Sequence, residues 1–365
     1  MNIIFFQPII THYRKSLVKE ILTLMPNSLF IGAKNYYNNI PLKDFNANVK
    51  NELSTFQIKL FNHRFFYFIN GMKYLLPLRN KKVIITGFDP HFLHIYIYIL
   101  FLKILKKEFI WWSHANYGSQ GSFGVKFRKF FYNLSSSILV YSNEGKKRLI
   151  KIGVEEKKIT ILNNCINYVD YGYLNYEKNT ILNKKGSVLN LLITGKLNKP
   201  KKIHLLLNSV KELISEGQKV NCNIVGDGEE MSNLKQLSKK LKIDSFVNFH
   251  GPIFGLEIHK FFIEADIYVI PGSVGLSIVH AFSFGLPVIT TDNLSEHRPE
   301  IEIFENKFNG LFYGRHNTLT EQIQSMYKLL NIDRSNIYDN CVESIIKNEY
   351  LPKDVALKIY KSLSK

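Results

Sequence analysis

The chain has 365 residues, 45% hydrophobic and 21% charged. This is ordinary globular usage, which excludes a small single module and a disordered chain and favours two domains. The three cysteines, Cys165, Cys222 and Cys341, are too few and too scattered for a disulfide framework or a CxxC metal site, which fits a reducing compartment. The formal net charge is +18 and lopsided: residues 1–186 carry 27 Lys and Arg against 10 Asp and Glu, whereas residues 187–365 carry 21 against 20.

A basic half attracts polyanions: nucleic acid, an anionic membrane leaflet or a phosphate-bearing substrate. The bland alternative is solvated lysine from a composition-biased genome. No zinc spacing, RNP-like aromatic run or basic repeat supports sequence-specific nucleic-acid readout, so no nucleic acid is expected. Lys126-Phe127-Arg128-Lys129-Phe130-Phe131 mixes cations with large rings, the composition of an interfacial amphipathic helix. The longest apolar run, Ile95 to Leu102, falls far short of the roughly 20 residues that span a bilayer. MNIIFFQPII lacks the charge and cleavage pattern of a signal peptide and reads as a first strand.

In chain order, apolar runs bounded by turn residues alternate with helical periods, the pattern of βα units around parallel sheets. The first half offers a strand at Ile3–Phe6, a helix at Tyr13–Leu24, strands at Leu29–Ile31 and Val83–Thr86, and a helix at His91–Lys106. Strands at Phe109–Trp112 and Ile138–Tyr141 and a helix at Glu144–Ile152 follow. Asn167 to Ser187, rich in Tyr, Asn, Lys and Gly and without a period, reads as the connection, with the linker proper at 171–187. The second half offers a strand at Leu189–Thr194, a helix at His204–Glu216, a strand at Asn221–Val225 and a helix at Glu230–Leu241. Strands at Val247–His250, Ile267–Ile270 and Val288–Thr290 complete it. The expected fold class is α/β, two doubly wound Rossmann-like domains facing a cleft, over 1–170 and 188–345. Residues 346–365 form a terminal helix that packs back on the first domain.

Three stretches of the second half carry candidate chemistry. Gly195-Lys196-Leu197-Asn198-Lys199-Pro200-Lys201-Lys202 follows a strand and gathers ammonium groups suited to phosphate oxygens. Gly226-Asp227-Gly228 closes the next βα turn; a bare GxG is a weak signal, since any tight turn uses glycine. Pro271-Gly272-Ser273-Val274-Gly275-Leu276 leads from a strand into a short helix that Gly285 ends, so its backbone N–H groups are placed to face an anion.

These stretches resemble glycosyltransferase family 4, the retaining group 1 enzymes of the GT-B fold, of the bacterial polysaccharide-biosynthesis type. The match is strongest from Leu189 to Phe312. In the first half, Tyr141-Ser142-Asn143-Glu144-Gly145 and Asn163-Asn164-Cys165-Ile166-Asn167 fit more weakly. The resemblance implies an acceptor-binding N-terminal domain and a nucleotide-sugar C-terminal domain. It places the donor diphosphate on Lys196, where the family has Arg, and on Lys201. The two family glutamates align with Gly272 and His280. A bacterial subset with a P-G-x-V-G-L loop and a His at the second position matches this chain, and there a His280 nitrogen meets the ribose hydroxyls. Gly195, Gly226, Gly228, Pro252, Ile253, Gly272, Ser273, Val274, Gly275 and Leu276 complete the implied donor site, with base recognition near Gly251–Phe254. His114, ending the strand Phe109–Trp112, is implied to face the donor sugar. Thr11, Tyr13 and Arg14 are implied acceptor contacts, with Thr11 equally readable as a helix N-cap and Tyr13 and Arg14 as scaffold.

No Asp-x-Asp occurs, and Asp89, His91 and His94 are a weak metal candidate, so transfer without a divalent metal or other cofactor is expected. The resemblance implies transfer from a UDP- or GDP-sugar to a hydroxyl of a lipid-diphosphate-linked glycan in O-antigen or capsule assembly. His114, Lys196 and Lys201 are its catalytic candidates, and Glu300 is the nearest remaining acid. The expected location is cytoplasmic, peripheral at the inner face of the plasma membrane, with the basic half on the anionic leaflet. The alternatives are a catalytically silent homologue that binds membrane, a nucleic-acid binder and a GT-B epimerase.

Overall fold

A computed structural model describes residues 3–8, 10–33, 48–60, 63–69, 72–75, 82–86, 93–115, 122–165, 178–184 and 187–363. The chain divides into two compact units, Met1–Asn167 with Leu351–Lys365, and Tyr168–Tyr350.

The first unit holds an eight-stranded sheet in the order β4-β3-β2-β1-β5-β6-β7-β8. β1 (Ile3–Phe6) lies between β2 (Leu29–Ala33) and β5 (Lys82–Thr86), both parallel to it. β6 (Glu108–Ser113), β7 (Ser137–Val140) and β8 (Ile159–Ile161) extend one side, all parallel. β3 (Val49–Leu60) continues the other side and pairs antiparallel with β4 (His63–Ile69). This hairpin and β8 are absent from the sequence expectation, because their short or Lys- and Asn-interrupted runs do not stand out as buried strands. β1 reads IIFF and is buried at every position, as a central parallel strand covered on both faces must be. The terminal helix Pro352–Leu363 sets Val355, Ala356 and Ile359 into one core with Leu17, Val18 and Ile21 of the helix Lys15–Leu24.

The second unit holds a six-stranded, fully parallel sheet in the order β11-β10-β9-β12-β13-β14. The strands are β9 (Val188–Thr194), β10 (Lys219–Val225), β11 (Val247–Gly251), β12 (Ile267–Ile270), β13 (Val288–Thr291) and β14 (Gly310–Tyr313). The chain winds outward from β9 to β11, then returns to the other side of β9 for β12. The strand order therefore reverses between β9 and β12, and in such sheets the crevice outside the strands' carboxyl ends at that point is the ligand position.

Part of the segment expected as linker is structured: residues 178–182 are helical, with Ile181 buried. Lys178 pairs with Asp339 and lies over the Tyr338 ring. Lys184 donates to the Ala265 carbonyl, and burial depresses its pKa to about 8. Asp266 accepts from Arg334 Nη1 at 2.8 Å and from the Asn190 backbone N–H at 2.9 Å, so this buried carboxylate is both paired and hydrogen-bonded.

Gly285 ends the helix Ser277–Ser283 at φ +64°, with Leu286 N–H bonded back to the Ala281 carbonyl, a Schellman-type close. A Cβ added there would lie 1.9 Å from Cδ2 of the Tyr338 ring. Gly285→Ala is expected to destabilise the protein by about 1–3 kcal/mol, read as a lower urea midpoint at unchanged slope; an unchanged midpoint contradicts this packing.

Candidate functional site

The loops that follow β9, β10, β12 and β13 and the last residue of β11 stand side by side at the carboxyl edge of the second sheet, laced by backbone hydrogen bonds. Gly226 N–H donates to the Gly251 carbonyl at 2.8 Å and Gly195 N–H to Val225 at 2.9 Å. Leu197 N–H donates to Asp227 at 2.9 Å, and Glu230 N–H returns to Leu197 at 3.1 Å. Ser273 N–H donates to Pro200 at 2.8 Å, and Arg298 N–H to Val274 at 2.9 Å. The result is one continuous rim across the switch point.

The glycines of the rim sit where two backbones touch. A Cβ on Gly226 would lie 1.8 Å from the Gly195 oxygen, and one on Gly272 would lie 2.0 Å from the Pro200 oxygen. Gly228 is similarly close to the Leu197 oxygen. The structure thus gives Gly226, Gly228 and Gly272 a packing reason independent of ligand contact. At Gly272 any side chain would force the loops after β9 and β12 apart in this backbone.

Gly195 and Lys196 are exposed on the rim, Gly195 at φ +114°. Lys201 is half-buried, and its Nζ donates to the Ser273 carbonyl at 2.7 Å. Burial depresses its pKa to about 8, neighbouring Arg298 lowers it further and Glu300 partly opposes both. Lys202 at φ +51° instead pairs with Glu296 at 2.7 Å. Pro252 is exposed and Ile253 half-buried beyond β11.

Val274 is buried, and its N–H donates to His297 Nδ1 at 3.1 Å, while His297 Nε2 bonds the Thr291 carbonyl at 2.9 Å. An Nδ1 that accepts and an Nε2 that donates define one neutral tautomer. Burial lowers the His297 pKa. Two of the amides expected to face an anion, those of Ser273 and Val274, are therefore engaged within the protein. The amides of Gly275, Leu276 and Ser277 at the helix start have no acceptor among the described residues.

His280 sits in an aromatic surround, 4.1 Å from the Phe262 ring and 5.5 Å from Phe284, with His259 at 6.1 Å. Burial, with His259 adding, depresses its pKa to about 3, so it is neutral. Its observed partners are rings. Glu300 is buried on the turn Pro299–Ile303 and acts electrostatically on Lys201.

In the first unit, His114 is exposed beyond β6 and stacks on Tyr141 at 4.2 Å. Arg14 donates to the Tyr141 hydroxyl at 2.7 Å and lies 4.9 Å from the Trp112 ring centroid, so its guanidinium is built into the scaffold. Thr11 is buried and does not cap the helix with its side chain: the helix starts at Lys15 after a turn at His12–Arg14, and Thr11 Oγ1 has no hydrogen-bond partner among the described residues. Tyr13 is half-buried. Asp89 and His91 lie outside the described residues, and among the described residues no three His, Cys, Asp or Glu side chains gather as a metal site.

Comparisons with known proteins agree with this architecture. Residues 189–331 match the family model described as Glycosyl transferases group 1. Over 241 residues, 64% of this chain and 63% of that protein, the chain is 29% identical to an uncharacterized glycosyltransferase of Haemophilus influenzae. Over 199 residues, 47% of this chain and 44% of that protein, it is 25% identical to the alpha-monoglucosyldiacylglycerol synthase of Streptococcus pneumoniae. The matches thus span less than two thirds of either relative. Among solved structures, Anabaena HepE in complex with UDP matches over all of both chains with a TM-score of 0.69 at 14% identity. The fold is GT-B, two-domain α/β with parallel sheets, and the matches support the group 1 glycosyltransferase family.

His297 and Arg298 are rim residues without a sequence signal of their own. Only their place just before Pro299-Glu300, in the loop after β13, marks them. His297→Leu leaves the Val274 N–H and the Thr291 carbonyl unpartnered, and a loss of about 1–3 kcal/mol in urea unfolding is expected, smaller for His297→Gln; equal stability of the Leu variant and wild type contradicts the clamp. Because the native pKa of His280 lies below its unfolded value near 6.5, the unfolded chain binds more protons between the two. Stability is therefore lost as pH falls below about 6.5. From pH 7.5 to pH 5 His280→Gln is expected to lose about 1–2 kcal/mol less than wild type; parallel pH profiles exclude His280 as the titrating group.

Proposed function

We propose that the protein is a retaining glycosyltransferase that moves a sugar from a nucleoside-diphosphate sugar to a hydroxyl of a lipid-diphosphate-linked glycan in surface polysaccharide assembly. The observation that carries this reading is the laced rim, which sets Lys196, Lys201 and Arg298 around the switch point of a fully parallel sheet.

In this reading the diphosphate lies across the rim. Lys196 supplies a mobile cation where the family has Arg, and Lys201, held by the Ser273 carbonyl, supplies a positioned one. Negative charge grows on the diphosphate as the bond to the sugar breaks, and fixed cations stabilise that charge without reorganising. The departing phosphate oxygen takes the acceptor proton, so no enzyme carboxylate is required as nucleophile. Arg298 restores the guanidinium that position 196 lacks, with the planar two-point geometry a lysine does not offer. The first unit takes the acceptor, with Tyr13 on the turn that Arg14 anchors after β1 and His114 as its sugar-facing side chain. The cation excess of residues 1–186 draws the enzyme to the anionic inner leaflet where such acceptors are anchored. The UDP bound to HepE makes uridine the first base to test, with GDP beside it.

The test is thermal stabilisation by UDP, GDP, dTDP, CMP and ADP. A ligand at 100 times its dissociation constant adds about 2.7 kcal/mol. One nucleotide is expected to stabilise wild type, Lys201→Ala is expected to lose that shift and Arg298→Ala to weaken it; no shift with any nucleotide contradicts the reading. Affinity is expected to fall as pH rises through about 8, where free Lys201 loses its proton, and Lys201→Arg is expected to abolish that fall. A wild-type affinity independent of pH from 7 to 9 contradicts a depressed Lys201 pKa in the free protein, and the Lys201→Ala loss then decides its ligand role alone.

A further inference from the structure

The helices Leu93–Ile104 and Ser122–Leu134 lie side by side on the first unit: the Tyr96 ring is 4.9 Å from Phe127 and 4.6 Å from Phe131. The first helix buries Ile95, Tyr98, Ile99 and Leu102. Its opposite face is apolar as well. Ile97, Leu100 and Ile104, spaced three and four apart and hence on one stripe, are 63%, 45% and 76% exposed. On the neighbouring helix Phe127 and Phe130 are 41% and 54% exposed. Five large apolar side chains thus face outward on two touching helices, whereas scattered single exposures are the rule on soluble surfaces. Exposed Lys103, Lys106 and Lys126 flank them, in the half of the chain that carries 27 basic against 10 acidic residues.

We infer that this two-helix face is a membrane-docking surface, its apolar stripe seated at the headgroup boundary of an anionic leaflet and its lysines on the lipid phosphates. The inference rests on the proposed action at an anionic membrane and assigns that action to a place. The occupant follows from the pairing of apolar area with one sign of charge. An apolar protein partner has no use for the surrounding cations, and a nucleic acid has none for the Ile97–Leu100–Ile104 stripe. An interfacial helix uses both, the apolar area setting depth and the cations selecting anionic lipid. No helix among the described residues is long and apolar enough to cross the bilayer, so the contact is one of lying on the surface. The sequence flags only the Lys126–Phe131 half of the face, because Ile95–Leu102 is apolar all round and conceals which side is core.

The test is co-sedimentation of the full chain with vesicles of phosphatidylcholine alone or with one third phosphatidylglycerol, using wild type and the combined variant Ile97→Ser, Leu100→Ser, Ile104→Ser. Thermal unfolding and nucleotide-induced stabilisation of both proteins are measured alongside. Wild type is expected to bind the anionic vesicles, to bind phosphatidylcholine at least tenfold more weakly, and to retain residual binding in high salt. The variant is expected to lose at least tenfold in affinity for the anionic vesicles while its unfolding and nucleotide response are unchanged. If the variant binds as tightly as wild type, the assignment to this face is overturned and membrane action survives elsewhere on the chain. If wild type binds no vesicle yet is stabilised by a nucleotide, membrane docking is overturned and the transferase reading stands. If sedimentation velocity shows a wild-type dimer that the variant abolishes with vesicle binding intact, the face is a self-contact and the inference is overturned.

Discussion

Everything proposed for the second unit depends on backbone meeting backbone at the carboxyl edge of its sheet. Hydrogen bonds join the loops after β9, β10, β12 and β13 and the end of β11, and at the tightest crossings there is no room for a Cβ, as the 1.8 Å and 2.0 Å approaches at Gly226 and Gly272 show. A loop held only by side chains drifts, whereas one hydrogen-bonded to its neighbour has its amides and cations fixed before any ligand arrives. Such preorganisation is what makes charge stabilisation effective.

The electrostatics of the rim follow from that compactness. Burial first, and neighbouring Arg298 second, leave Lys201 holding its proton only up to about pH 8. His297 works in the opposite sense: held neutral between the Val274 N–H and the Thr291 carbonyl, it fixes the loop without adding charge. Glu300, buried beside this group, partly offsets the cations. In the proposed function it is this group of cations that meets the diphosphate.

Much of this was legible in the residues. The parallel strands β1, β2, β5 to β7 and β9 to β13 were readable as apolar runs between turns, since a strand covered on both faces has little choice of composition, whereas the short edge strands β8 and β14 were not. The antiparallel β3–β4 pair was not, because the polar residues of VKNELSTFQIKL break the run. At the site, Lys196 and Lys201 stood out by type and spacing. His297 and Arg298 did not, because their partners lie 23 to 24 residues away at Val274. The resemblance assigned His280 to the donor ribose, whereas the aromatic surround of Phe262 and Phe284 that the structure shows was not readable, because the convergence of ordinary core aromatics depends on the fold. Thr11 resembles a helix cap in sequence, and the three-residue turn that delays the helix to Lys15 removes that role.

Amide hydrogen exchange of the full chain with and without saturating UDP, and separately GDP, tests the central claim most directly. The account predicts that one nucleotide slows exchange in residues 195–202, 271–277 and 296–300, and that Lys201→Ala erases the effect. Protection confined to other segments, or no protection from either nucleotide, would contradict it.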